Sequence, residues 1–221
     1  MPRRNLIRTS NYPYHITIRC NNREWFDLPL ADVWEICIRN IVKSNKKHPV
    51  NIYGFVLMSN HYHLLIDTPN NNIDEFMFEL NRNISHDLRI LSGRINRIFG
   101  DRYKWCIIKD KKHFINVLRY VYRNPKRYDV VKKCEDYIFS SLYYIVNKIP
   151  LAFTPYEPYI GELDGFLRWI NDESSEKIDG NEDNDAKLQK ALSRSFFKYP
   201  IKRTSRRSSR RSMSITSNSS L

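Results

Sequence analysis

Several common routes to function are missing from this chain. Its four cysteines, Cys20, Cys37, Cys106 and Cys134, are scattered with no Cys-x-x-Cys pair. That argues against a zinc ribbon or a small disulfide scaffold and for reduced core thiols. No apolar run approaches a membrane span, and the opening Met1-Pro2-Arg3-Arg4-Asn5 lacks the apolar segment of a signal peptide, so a cytoplasmic protein with no membrane partner is expected. Neither a Gly-rich phosphate loop nor a Ser-His-Asp order is evident. Acidic residues are the scarcer charge, 24 Asp and Glu against 37 Lys and Arg, for a formal net charge of +13. This excess points to a polyanionic partner, because Lys and Arg displace counterions from phosphates. The 14 tyrosines and 4 tryptophans supply rings on which bases stack.

What the chain does have is Ser59-Asn60-His61-Tyr62-His63-Leu64-Leu65-Ile66. Side chains alternate along a strand, so His61 and His63 share one face while Tyr62, Leu64 and Ile66 take the other. Two imidazoles ligate one divalent ion when a third group approaches from another element. Asp67 has the right parity but lies four residues from His63, about 13 Å at strand rise, too far to join the same ion. No dense Asp/Glu cluster lies near the pair.

Around this pair the periodicities predict a strand over 14–20 covered on one side only, a helix over 30–42, a hairpin of strands 52–58 and 61–66, and a helix opened by Asn72 with Glu75 as a capping box. In that last helix Phe76, Leu80, Ile84, Leu88 and Leu91 face the core, and Arg82 and Arg89 lie on other faces. A basic loop with Arg94 and Arg97 leads to a strand over 103–108. The order strand, helix, strand, strand, helix, strand predicts an α+β fold, a ferredoxin-like or RRM-like antiparallel sheet with helices packed on one face and the other face free, followed by a C-terminal extension.

A further helix is predicted over 110–123, stopped by Asn124-Pro125. At 100° per residue Phe114, Leu118, Val121 and Tyr122 form its packing side. Tyr120 falls on a mostly polar side as a presented phenol, with Asn124 one turn on. A tyrosine, a His-x-His face and a basic, aromatic-rich chain together suit attack of a phenolate on a phosphodiester polarised by a metal ion.

Three blocks in this order, Tyr14-His15-Ile16-Thr17 with Asn21-Asn22-Arg23, Phe55-Val56-Leu57-Met58-Ser59-Asn60-His61-Tyr62-His63-Leu64-Leu65-Ile66, and Arg119-Tyr120-Val121-Tyr122-Arg123-Asn124-Pro125, resemble the REP-associated tyrosine transposases. Those are relatives of the single-tyrosine insertion-sequence transposases, in the HUH endonuclease class. The resemblance spans roughly residues 10 to 145. It implies a metal-dependent endonuclease and strand transferase that cuts single-stranded DNA beside a hairpin, with Tyr120 as nucleophile, a 5′-phosphotyrosine intermediate and a free 3′-hydroxyl. It further implies His61, His63 and Asn124 as ligands of Mg2+ or Mn2+, although two imidazoles taken alone suit zinc or another transition ion. Candidate DNA-binding cations are Arg19, Arg23, Arg82, Arg89, Arg94, Arg97, Arg102 and Lys104. Such a protein would act in the cytoplasm, at the nucleoid, as a monomer or homodimer. Two positions depart from the family pattern, Ser59 where Pro is frequent and Lys126-Arg127-Tyr128 in place of Val-Arg-Ala, and neither removes a ligand or the nucleophile. A non-catalytic, domesticated binder of structured DNA or RNA accounts for the same charge pattern.

The expected divisions are a catalytic domain over 1–150, a partly helical extension over 151–170 that includes 166–170, and an unstructured remainder over 171–221. The remainder comprises an acidic linker to Asp185 and a Ser/Arg-rich tail with Lys202, Arg203, Arg206, Arg207, Arg210 and Arg211, which attracts DNA without regard to sequence.

Overall fold

The computed structural model describes residues 5–153, 162–172 and 184–197. Along the chain come β1 (Tyr14–Arg19), α1 (Leu30–Lys47), β2 (Asn51–Leu57), β3 (His61–Asp67), α2 (Ile73–Ser92), β4 (Lys104–Ile107), α3 (Lys111–Arg127), α4 (Ser141–Val146), α5 (Leu163–Asn171) and α6 (Asn184–Leu192). The strands form one antiparallel sheet in the order β2-β3-β1-β4, and the predicted α+β class is realised. Strand alternation sets its two faces. Tyr14, Ile16 and Ile18 of β1, Tyr62, Leu64 and Ile66 of β3, and Trp105 and Ile107 of β4 join the core shared with α1 and α2. An irregularity between Ile52 and Gly54 shifts the parity of β2, so Tyr53 and Val56 turn the other way.

That other face is not free. Leu65, Cys106, Tyr53 and Val56 form a second core with Phe114, Val117, Leu118 and Val121 of α3, joined by Phe166 and Ile170 of α5 and Leu188 and Leu192 of α6. The single-sided alternation of β1 suggested water because His15 and Thr17 are polar. In the structure the Tyr120 ring of α3 covers His15, and Thr17 lines a cavity with Arg19 and Lys104.

Helix α3 also runs past its predicted stop. Asp110 caps its start by accepting a hydrogen bond from the His113 backbone N–H (3.1 Å), and the helix continues through Pro125 to Arg127. Proline removes one donor, but Tyr128 N still donates to Asn124 O and Val130 N to Pro125 O, so the last turn closes around it. Three smaller differences remain. The polar segment 43–47 is the last part of α1. Asn72 precedes α2 without a side-chain cap, its Nδ2 donating instead to Pro49 O, and Leu91 is exposed.

The extension is more ordered than expected. Cations of α3 hold the carbonyl end of α5: Arg119 and Arg123 each donate to Asp172 O at 2.8 Å and Lys126 to Asn171 O at 2.9 Å, as suits a helix C-terminus. Residues 184–197, placed by the sequence reading in an unstructured remainder, carry α6 and a short segment along β4. There Ile107 N donates to Ser195 O and Phe197 N to Ile107 O, which covers the outer edge of the sheet. Most of the acidic linker and all of the Ser/Arg tail lie outside the described residues. Among the described residues no helix is long and apolar enough to cross a membrane.

The seat of α3 on the sheet is Gly54. A Cβ there would lie 3.1 Å from Leu118 Cδ1 and 3.2 Å from the Tyr122 hydroxyl. Gly54→Val is expected to lift α3 and lower stability by about 1–3 kcal/mol, read as a shift of the urea midpoint. A variant as stable as the parent would mean that α3 does not seat there.

Candidate active site

Tyr120 and Tyr122 straddle the seat of α3. Tyr122, fully buried as expected, points toward β2, with its hydroxyl donating to Tyr53 O (3.3 Å) and 3.1 Å from Ser141 Oγ. Tyr120 points toward β3 and β1. It is not a presented phenol: it is 8% exposed, its ring edge-on to His63 at 5.7 Å and to His15 at 6.0 Å between centroids. Helical periodicity placed it off the apolar side correctly. It did not show that imidazoles would cover that side.

His61 and His63 do share the α3 face of the sheet, but both are buried rather than open (5% and 4% exposed). Strand register sets their neighbours, Arg19 opposite His61, and Thr17 and Val56 opposite His63. His61 Nδ1 lies 2.7 Å from Asn60 Oδ1. An amide oxygen only accepts, so this nitrogen carries the hydrogen and Nε2 keeps its lone pair. The Asn60 amide is in turn fixed by donation from Nδ2 to Arg23 O at 2.8 Å. His63 Nδ1 meets His15 Nε2 at 2.9 Å, and His63 Nε2, although buried, has no hydrogen-bond partner among the described residues. Asn124, buried in α3, donates from Nδ2 to Tyr120 O at 2.8 Å, which leaves Oδ1 as its acceptor atom.

Burial keeps these imidazoles neutral. It pushes His15 down to about 3 and His61 down to about 4, the latter helped by the Arg19 charge. His63 is held well below the ordinary histidine value, by burial first and then by His61, His15 and Arg19, with the nearby Asn124 side chain working against this trend. Neutral imidazole is the form that binds metal. Among the described residues no group of three or more His, Cys, Asp or Glu side chains is placed to hold an ion, and the Asn124 amide is the nearby side chain of another kind with an acceptor oxygen. Sequence reading missed His15 and Asn60. Both sit in the quoted blocks, one at a strand position and the other beside the first histidine, and only the packed structure shows what they touch.

The candidate cations divide. Arg19, Arg23, Arg102 and Lys104 line one cavity of about 360 Å³ with Thr17 and Asn22. It adjoins the histidines through Arg19, and Lys104, paired with Thr17, stands two strands from His63, about 10 Å. Arg82 lines a larger cavity of about 670 Å³ beside α2 with Phe78 and Arg102, where it pairs with Glu79 and covers the Phe78 ring at 5.6 Å. Arg102 borders both cavities. Arg94 is engaged by Glu24 and Asp27 and mostly buried, so it braces the loop instead of presenting charge. Arg89 reaches Arg94 O, and Arg97 is exposed away from both cavities.

A family model described as IS200-like transposase matches residues 8–124, which contain Tyr120, both histidines, Asn60, His15 and Asn124. No curated protein matches significantly. Among solved structures, a REP-associated tyrosine transposase bound to a REP hairpin superposes with a TM-score of 0.58 at 19% identity, over 73% of this chain and 98% of that one, which establishes a common fold. A candidate transposase from Deinococcus radiodurans R1 matches at a TM-score of 0.37 and 15% identity, over 55% of this chain and 94% of that one.

Proposed function

This chain belongs to the IS200-like transposase family, and we propose that it cleaves and transfers single-stranded DNA beside a hairpin, using Tyr120 as nucleophile. The observation that carries the reading is the convergence of Tyr120, His63 and Asn124, from α3 and β3, beside a basic cavity. The structural relative is bound to a REP hairpin, and the same class of partner is proposed here.

The donor set fits a divalent cation. His63 Nε2 is a buried nitrogen without a hydrogen-bond partner among the described residues, His61 Nε2 carries a lone pair, and Asn124 Oδ1 is the amide oxygen not used in the helix. These three would hold Mg2+ or Mn2+, which when bound polarises a phosphate oxygen of the scissile link. Tyr120 Oη forms the new bond to phosphorus as the P–O3′ bond breaks. The phenol proton is lost, the departing 3′-oxygen ends as a hydroxyl, and the 5′-phosphate remains on the tyrosine. The Asn60 amide and His15 anchor the two imidazoles through their Nδ1 atoms, so the orientation of this pair is set before the strand arrives. Arg19, Arg23, Arg102 and Lys104 hold the strand by its backbone.

Labelled hairpins with single-stranded flanks, incubated with the protein and Mn2+ or Mg2+, are expected to give a covalent protein–DNA adduct that survives denaturation and is lost with a chelator. Binding without an adduct, for any flank and either ion, would replace this reading by that of a hairpin-binding protein that does not cut. The strand path has its own test. Arg19→Ala and Lys104→Ala should each reduce the slope of log affinity against log salt by about 0.7 to 1, whereas an unchanged slope would put the strand elsewhere.

A further inference from the structure

We propose that His15 is a positioning residue: it accepts a hydrogen bond from His63 Nδ1 and thereby holds His63 in the tautomer whose Nε2 lone pair is open to a divalent cation. The inference rests on the cation site proposed above. Register explains why this residue makes the contact. Thr17 is directly opposite His63, and His15 is opposite Leu65, so His15 reaches His63 along the diagonal of an antiparallel pair, within range of a long side chain. The two rings lie nearly parallel, 23° apart, with the nitrogens at 2.9 Å.

A bond between two imidazole nitrogens contains one hydrogen, which leaves two arrangements for the neutral pair. If His15 donates, His63 carries its own hydrogen on Nε2, toward the Asn124 side chain but without a formed hydrogen bond among the described residues, and no lone pair is left there for a cation. If His63 donates, Nε2 presents a lone pair, and a cation supplies what the protein does not. His61 follows the same plan, anchored through Nδ1 by Asn60, so both histidines of the pair direct Nε2 away from their anchors. Outer partners of this kind set the tautomer and orientation of ligating histidines. His15 is not itself a third ligand, because its Nε2 is spent on His63 and no three-member His, Cys, Asp or Glu grouping surrounds an ion position among the described residues.

His15 also packs edge-on against Tyr120, so a plain packing role must be separated from the proposed one. His15→Phe keeps a ring and removes the acceptor, and His15→Gln keeps an acceptor and removes the ring. Mn2+ affinity of the full chain, measured by calorimetry or by electron paramagnetic resonance of free Mn2+, is expected to fall about 10- to 100-fold in His15→Phe and to stay within about fivefold of the parent in His15→Gln. In metal-free parent protein labelled with 15N-histidine, His63 should show a protonated Nδ1 and an unprotonated Nε2, a readout that needs neither a variant nor a metal. Parent-like affinity in His15→Phe, equal losses in both variants, or a protonated His63 Nε2 in the parent would each overturn the assignment. A parent that binds no Mn2+ yet shows the expected tautomer would remove the cation reading and leave the His15 to His63 hydrogen bond supported.

Discussion

Tyr120→Phe is expected to abolish adduct formation, with strand cleavage falling by a factor on the order of 10⁴ or more, as for loss of a nucleophile in other covalent enzymes, while hairpin affinity stays within about threefold. The substitution removes one oxygen and keeps the ring that packs on His63 and His15, so the site loses its nucleophile and little else. A stability change near 1 kcal/mol is the ordinary range for one lost hydroxyl interaction and would not unfold the domain. Gel-resolved adducts and binding isotherms on the same preparation check both halves. Undiminished adduct in the phenylalanine variant would move the nucleophile to another residue. Loss of hairpin binding together with the adduct would instead make Tyr120 part of the DNA-holding surface.

The second large effect is on stability against pH. His61 sits at about 4 and His15 at about 3 in the folded protein, against about 6.5 in an unfolded chain. Both folded values are depressed, so below 6.5 the unfolded chain takes up protons that the folded one refuses, and acid favours unfolding. The stability linked to these neutral imidazoles is fully present above pH 6.5 and is lost as pH falls toward 4 for His61 and toward 3 for His15. His61 alone accounts for on the order of 3 kcal/mol across its window, and His63 adds in the same direction. Urea midpoints should therefore drop steeply between pH 6.5 and 4, and His61→Gln should flatten the profile. A midpoint that does not move over that range would mean that the imidazoles are solvated or already charged.

Much of this site could be read from residue order, and the unread part has a common cause. Alternation in 61–66 placed His61 and His63 together and buried Tyr62, Leu64 and Ile66, as found, because period-two patterning is a local property. Angular spacing separated Tyr122 from Tyr120 for the same reason. What escaped were contacts between elements distant in sequence. A polar strand face in β1 reads as wet unless a polar helix from a hundred residues later is known to lie on it, and so His15 passed as a surface residue. Asn124-Pro125 reads as a helix stop because the bias against helix before proline is statistical, whereas here Asn124 is held in the helix by its own side chain on Tyr120 O. The composition of 184–197 gave little sign of docking, since its anchor combines a backbone pairing with Ile107 with a few apolar side chains, Leu188, Leu192 and Phe197, set in a mostly polar stretch.

The uninterrupted course of α3 through Pro125 sets a rule for sequence variation. Tyr120 and Asn124 stand on one continuous rod, four residues and about 6 Å apart along its axis. Inserting or deleting a single residue between them would swing one relative to the other by about 100°, taking the amide off the ligand side or the phenol off the histidines, however well the new residue suited a helix. Val121, Tyr122 and Arg123 can therefore change in kind, within the limits of their own packing, but not in number.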